Sequence, residues 1–109
     1  MSEVVVVLTT MPADQRAEEL ARTLVDERLA ACVNVLPPML SVYRWQGRVD
    51  HGAERQLVVK TTQARLAALE RRLSQIHPYE LPEFLVLPIG DGSEAYLAWV
   101  IAQTEPEPQ

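Results

Sequence analysis

The chain repeats itself. Val6-Val7-Leu8-Thr9-Thr10 returns as Val58-Val59-Lys60-Thr61-Thr62 after a shift of 52 positions, and Val35-Leu36-Pro37 returns as Val86-Leu87-Pro88 after a shift of 51. Between the members of each unit lies a segment whose apolar residues recur at three- and four-residue steps, the spacing of a helix with one buried stripe. The chain therefore reads as two β-α-β units in tandem. A β-α-β crossover is right-handed in almost all cases, which restricts how both units can lie on one sheet. The solution is an α+β, ferredoxin-like sandwich, with an antiparallel sheet and its two crossover helices on one face.

The individual segments support this reading. Val4-Val5-Val6-Val7-Leu8 is an unbroken, mostly β-branched run suited to a central strand, and Thr9-Thr10-Met11-Pro12 is expected to end it. A helix is expected over 13–29, with Ala17, Leu20, Ala21, Leu24 and Val25 inward. A long strand region follows over 31–46, interrupted at Pro37-Pro38, where a residue without a ladder donor calls for a bend or bulge. Gly47 to Gly52 reads as a turn and Gln56 to Thr61 as a strand. Thr62 reads as the cap of a helix over 63–76. Phe84 to Leu87 is a further strand, and Ser93 caps a last helix ending near Gln103. The reading is one domain over 1–103 and a disordered acidic, proline-bearing tail over 104–109. The strands around the proline pair form a hairpin longer than a small sandwich needs. Its Tyr43 and Trp45 make an edge that wants a partner, so a homo-oligomer is expected.

Charge narrows the function classes. The formal net charge is −5, and acids and bases are interspersed, which disfavours nucleic-acid binding through clustered cations. Cys32 is the only cysteine, so no intrachain disulfide can form and a reducing compartment is expected. The N-terminus lacks the basic start and apolar run of a secretory signal, and no apolar run reaches membrane-spanning length. A soluble, cytoplasmic protein is the expectation.

Candidate chemistry centres on Ile76-His77-Pro78-Tyr79-Glu80-Leu81-Pro82-Glu83. Pro78 and Pro82 bias the residues before them out of helical geometry, so the segment can serve as a stiff connector. The same stiffness presents His77, Tyr79 and Glu80 rigidly, as a binding site requires. Cys32 can be a small buried hydrophobe, or can join imidazole and carboxylate as a copper or zinc ligand. Arg44 and Lys60 interrupt apolar strands, and each can reach solvent, pair with an acid such as Glu54, or hold an anion in an intersubunit cleft. Tyr43, Trp45 and Trp99 read as packing residues. There is no phosphate-binding glycine loop and no serine nucleophile elbow, so a non-enzymatic protein is expected.

Several separate stretches, in order, resemble one family. They are Leu8-Thr9-Thr10, Arg28-Leu29-Ala30-Ala31-Cys32-Val33-Asn34, Val42-Tyr43-Arg44-Trp45-Gln46-Gly47, Lys60-Thr61 and His77-Pro78-Tyr79-Glu80-Leu81-Pro82. Together, from about Val4 to Ile101, they are similar to the CutA divalent-cation tolerance proteins. The resemblance implies a tightly packed homotrimer in the bacterial cytoplasm and a role in tolerance of divalent metals, copper above all. Its Cys-Val-Asn and His-Pro-Tyr-Glu motifs fall on Cys32 and on His77, Tyr79 and Glu80. Cys32, His77 and Glu80 are the expected metal ligands, and Lys60, Tyr79, Arg44 and Trp45 the expected lining of an intersubunit pocket. The implied trimer also resembles that of PII-type signalling proteins. A sensor of small anionic effectors, with clefts between subunits, is therefore an alternative, and a purely structural trimeric scaffold is a third.

Overall fold

The computed structural model describes residues 2–106. Its elements are β1 (Val4–Pro12), α1 (Arg16–Asp26), β2 (Cys32–Val35), β3 (Met39–Trp45), β4 (Arg48–Thr62), α2 (Leu66–Ile76), β5 (Leu85–Pro88) and α3 (Glu94–Gln103). The fold is α+β, with an antiparallel sheet in the order β2-β4-β1-β5 and β3 added along β4. Both β2 and β1 run antiparallel to β4, so they are parallel to each other and α1 is their crossover. Likewise β4 and β5 both run antiparallel to β1, with α2 between them. The two tandem β-α-β units read from the repeat are present.

Alternation along the strands decides which face the helices cover. Val5, Val7, Thr9 and Met11 of β1 and Leu57, Val59 and Thr61 of β4 are at most 1% exposed. Of these, Val7, Met11, Leu57 and Val59 pack with Ala17, Leu20 and Leu24 of α1 and Leu69 and Leu73 of α2. The alternate residues Val6, Leu8, Val58 and Lys60 face the other side and are only half-buried. There α3 covers one end alone, where Val100 packs with Val4 and Ala31.

Several boundaries differ from the sequence reading. β1 does not stop at Thr9 but continues to Pro12, because Thr9 to Pro12 find partners from Leu57 to Glu54 on a long β4. The turn expected over Gly47 to Gly52 shrinks to Gln46-Gly47. Both residues have positive φ, +52° and +79°, as in the tight two-residue turns whose twist matches a hairpin. The first helix is shorter than 13–29. Asp14 lies outside it and accepts the Arg16 N–H at 2.9 Å, while Arg28, at φ +60°, ends it. Thr62 makes no capping bond, and a 3-10 turn over Gln63–Arg65 precedes α2. The cap expected at Ser93 does form, its Oγ accepting the Tyr96 N–H at 3.2 Å.

Thr104, assigned by sequence to the tail, belongs to the ordered end of α3. It is 2% exposed and its Oγ1 donates to the Val100 carbonyl at 2.9 Å. The part of that tail over 107–109 lies outside the described residues. β3 and the first half of β4 project as a two-stranded arm. The radius of gyration, 14.7 Å, accordingly exceeds the roughly 13 Å of a compact chain this long.

Candidate functional site

The residues singled out by sequence fall into three places. The first is the sheet face opposite α1 and α2. Cys32 and Asn34 of β2 alternate onto this face, and the register sets Cys32 beside Lys60 and Asn34 beside Val58. The Lys60 ammonium donates to Asn34 Oδ1 and stands 4.0 Å from Cys32 Sγ. The Asn34 amide is 3.9 Å from the same sulfur. Cys32 is half-buried, so its thiol is neither sealed in the core nor fully in water. Asn34, which sequence reasoning did not select, is what holds Lys60. Its signal was its two-residue offset from Cys32, which puts both side chains on one face.

The second place is the root of the arm. Pro78 drives His77 into an extended conformation (φ −74°, ψ +135°), while the His77 N–H still closes the last turn on the Leu73 carbonyl at 2.8 Å. The ring then reaches β1 at Thr10, beyond Leu8, where the pairing with β5 ends. His77 Nε2 lies 2.9 Å from the Thr10 carbonyl, and Nδ1 lies 3.1 Å from the Tyr79 N–H. A carbonyl can only accept and an amide N–H can only donate. The ring is therefore the neutral tautomer carrying its proton on Nε2, with both nitrogens in use. Burial lowers its pKa below the ordinary imidazole value, and the Thr10 carbonyl and the Glu54 carboxylate oppose that only in part.

The Tyr79 ring packs against His77 with ring centroids 5.0 Å apart and the planes tilted by 54°. Its phenol is pushed above the usual range, first by burial and then by its hydrogen bond to the Glu54 carboxylate. Glu54 thus faces Tyr79, while Lys60 takes Asn34 as its partner. The ion pair considered for Glu54 with Arg44 or Lys60 does not form, because Glu54 lies at the base of the arm opposite Pro12 and Met39. Nearby, Gln56 Nε2 donates to the Thr9 carbonyl at 2.8 Å and to Glu83 at 2.9 Å, tying the segment after α2 to the sheet. Gln56 was missed from sequence, and Glu54 and Thr10 were not linked to His77 and Tyr79, since only the strand register brings them there. Glu80 is exposed.

The third place is the tip of the arm, where Arg44 pairs with Val49 and Trp45 with Arg48. Lys60 lies eleven residues farther along β4 than Val49. The expected pocket residues Lys60, Tyr79, Arg44 and Trp45 are therefore not assembled within one chain. Nor are the expected metal ligands. Cys32 is level with Val6 on the open face, and His77 contacts Thr10, four residues along β1. At about 3.3 Å per residue, that is roughly 13 Å. Among the described residues, no three His, Cys, Asp or Glu side chains converge on a point that could hold a metal ion.

The family model of the CutA1 divalent ion tolerance protein matches residues 5–103. The chain belongs to the CutA1 family. The divalent-cation tolerance protein CutA of Thermus thermophilus is 46% identical over 99 residues, covering 91% of this chain and 96% of its own. That of Pectobacterium atrosepticum is 42% identical over 102 residues, 94% and 93% of the two chains. Among solved structures, the Thermus thermophilus divalent cation tolerance protein superposes with a TM-score of 0.90 at 45% identity, covering 94% of this chain and 99% of that one. CutA from Xylella fastidiosa gives 0.91 at 40% identity, covering 95% and 100%. The family read from the ordered motifs is thus the right one. On the CutA1 scaffold those motifs map to β1, the entry to β2, the arm, the end of β4 and the segment after α2.

Proposed function

We propose that this protein serves tolerance of divalent cations by binding them as a cytoplasmic homotrimer, without catalysing a reaction, and that copper is its preferred ion. The observation that carries the reading is the match to the CutA1 family along residues 5–103. The geometry supports a particular division of labour. Cys32 offers a half-exposed sulfur and Glu80 an exposed carboxylate, and thiolate and carboxylate are competent donors for such ions. His77 donates from Nε2 and accepts at Nδ1 within its own chain, so it can ligate only by releasing the Tyr79 N–H. A complete ligand set therefore draws on more than one subunit.

Native mass spectrometry during a Cu(II) titration tests assembly and metal uptake together. The expected result is a trimer that takes up a fixed number of ions and saturates, with Cys32→Ala lowering the stoichiometry. Unsaturable, gradual uptake by a trimer would remove the metal-binding reading.

A further inference from the structure

A shallow depression of about 240 Å³ lies on the helical side, where the end of α1 meets α2, and neither Cys32 nor His77 lines it. Arg65, Ala68, Arg72 and Gln75 line it from one stripe of α2, at three- and four-residue steps, and Arg71 flanks them. Ala68 is small, and the nearly buried Leu29 forms part of the floor, so the space between the long side chains stays open. Three arginines thus ring one depression in a chain whose formal net charge is −5.

The three are not equivalent. Arg72 is fixed: its Nε and Nη2 each donate to Glu27 at 2.9 Å, and its Nη1 donates to Gln75 at 3.1 Å. Arg65 is half-buried and spends only its Nε, on the Arg28 carbonyl at 3.3 Å. Arg71 is exposed, and among the described residues neither Arg65 nor Arg71 has a carboxylate within ion-pair distance. Both guanidinium groups therefore keep donors free for an anion, and the planar arginine fork matches a phosphate's oxygens two at a time.

We propose that the Arg65–Arg71–Arg72 depression binds a small anion carrying two phosphate groups. Arg65 and Arg71 each grip one phosphate, and Arg72, held by Glu27, positions the rim. The volume suits a diphosphate group and is below the usual range for a drug-sized ligand. This site is separate from the metal reading, since no residue is shared with it.

Isothermal titration of metal-stripped, chelator-free protein with inorganic pyrophosphate, against sulfate at matched ionic strength, tests the proposal. The expected result is one saturable site per chain, at least about tenfold tighter for pyrophosphate than for sulfate, and weakened at least about tenfold in Arg71→Glu and in Arg65→Gln. Arg71 is exposed and its side chain has no ion-pair partner among the described residues, so its substitution should leave the fold intact by circular dichroism. Pyrophosphate binding no tighter than sulfate, or affinity unchanged in Arg71→Glu, would overturn the site.

Discussion

His77 is a neutral ring by construction, because one nitrogen must donate to a carbonyl and the other must accept from an amide. Protonating Nδ1 breaks the Tyr79 bond, and burial already holds the ring's pKa below its usual value. The unfolded chain therefore binds more protons than the folded one between the depressed folded pKa and the ordinary value near 6.5. The stabilisation is complete above about pH 6.5 and is lost as pH falls through the folded pKa. The melting temperature should fall as pH is lowered from 7 to 5, and His77→Gln should flatten that slope; an unchanged slope in the variant would assign it to other groups. Tyr79 titrates in the opposite sense. Its raised pKa keeps the phenol protonated in the fold at pH values where the unfolded chain ionises. Stability is therefore retained below about pH 10 and lost above it. Ultraviolet titration should show a late phenolate transition that Tyr79→Phe removes. From sequence, the two prolines announced a rigid HPYE segment, but the partners that set its chemistry are Thr10 and Glu54, 67 and 25 positions away from His77 and Tyr79.

At the scale of elements, the crossover helices are held by their buried stripes more than by their caps. Neither α1 nor α2 has a side-chain cap bond, whereas Leu69 and Leu73 of α2 are at most 2% exposed. Leu73→Ala should cost about 2–5 kcal/mol, the range for emptying a core leucine site. Ser93→Ala removes the one helix cap formed by a side chain among the described residues and should cost about 1 kcal/mol. Urea denaturation of the two variants checks the order, and a larger loss for Ser93→Ala would contradict it. The helix stripes, the proline break and the Ser93 cap were legible in the chain, with one exception. Val25, expected inward, is 42% exposed because it sits at the edge of the α1 stripe rather than over the sheet. The reach of β1 and β4 was not, because the threonines, charges and glycines in those strands look like turn residues until a partner strand satisfies their backbone groups.

For the whole molecule, the arm is the feature that a lone chain cannot explain. Leu40, Val42 and Val49 share one of its faces at 70%, 64% and 65% exposure, far from the core formed by the helices. Such a strip on a two-stranded projection is unstable in water without cover. With the trimer of the proposed function, Leu40→Glu together with Val42→Glu should shift sedimentation from trimer towards monomer while far-ultraviolet circular dichroism is retained. A variant that stays trimeric would show that the arm does not make the contact.

The amino-acid sequence alone determined the two β-α-β units, the helix faces, the long hairpin and the family. These depend on periodicity, proline chemistry and motif order, all of which are local in the chain. Tertiary structure alone decided that Lys60 stands beside Cys32, that His77 spends both nitrogens inside its own chain, and that three arginines surround one hollow. Those facts depend on strand register and on helices meeting across space, and a shift of one residue along β4 would turn Lys60 to the opposite face.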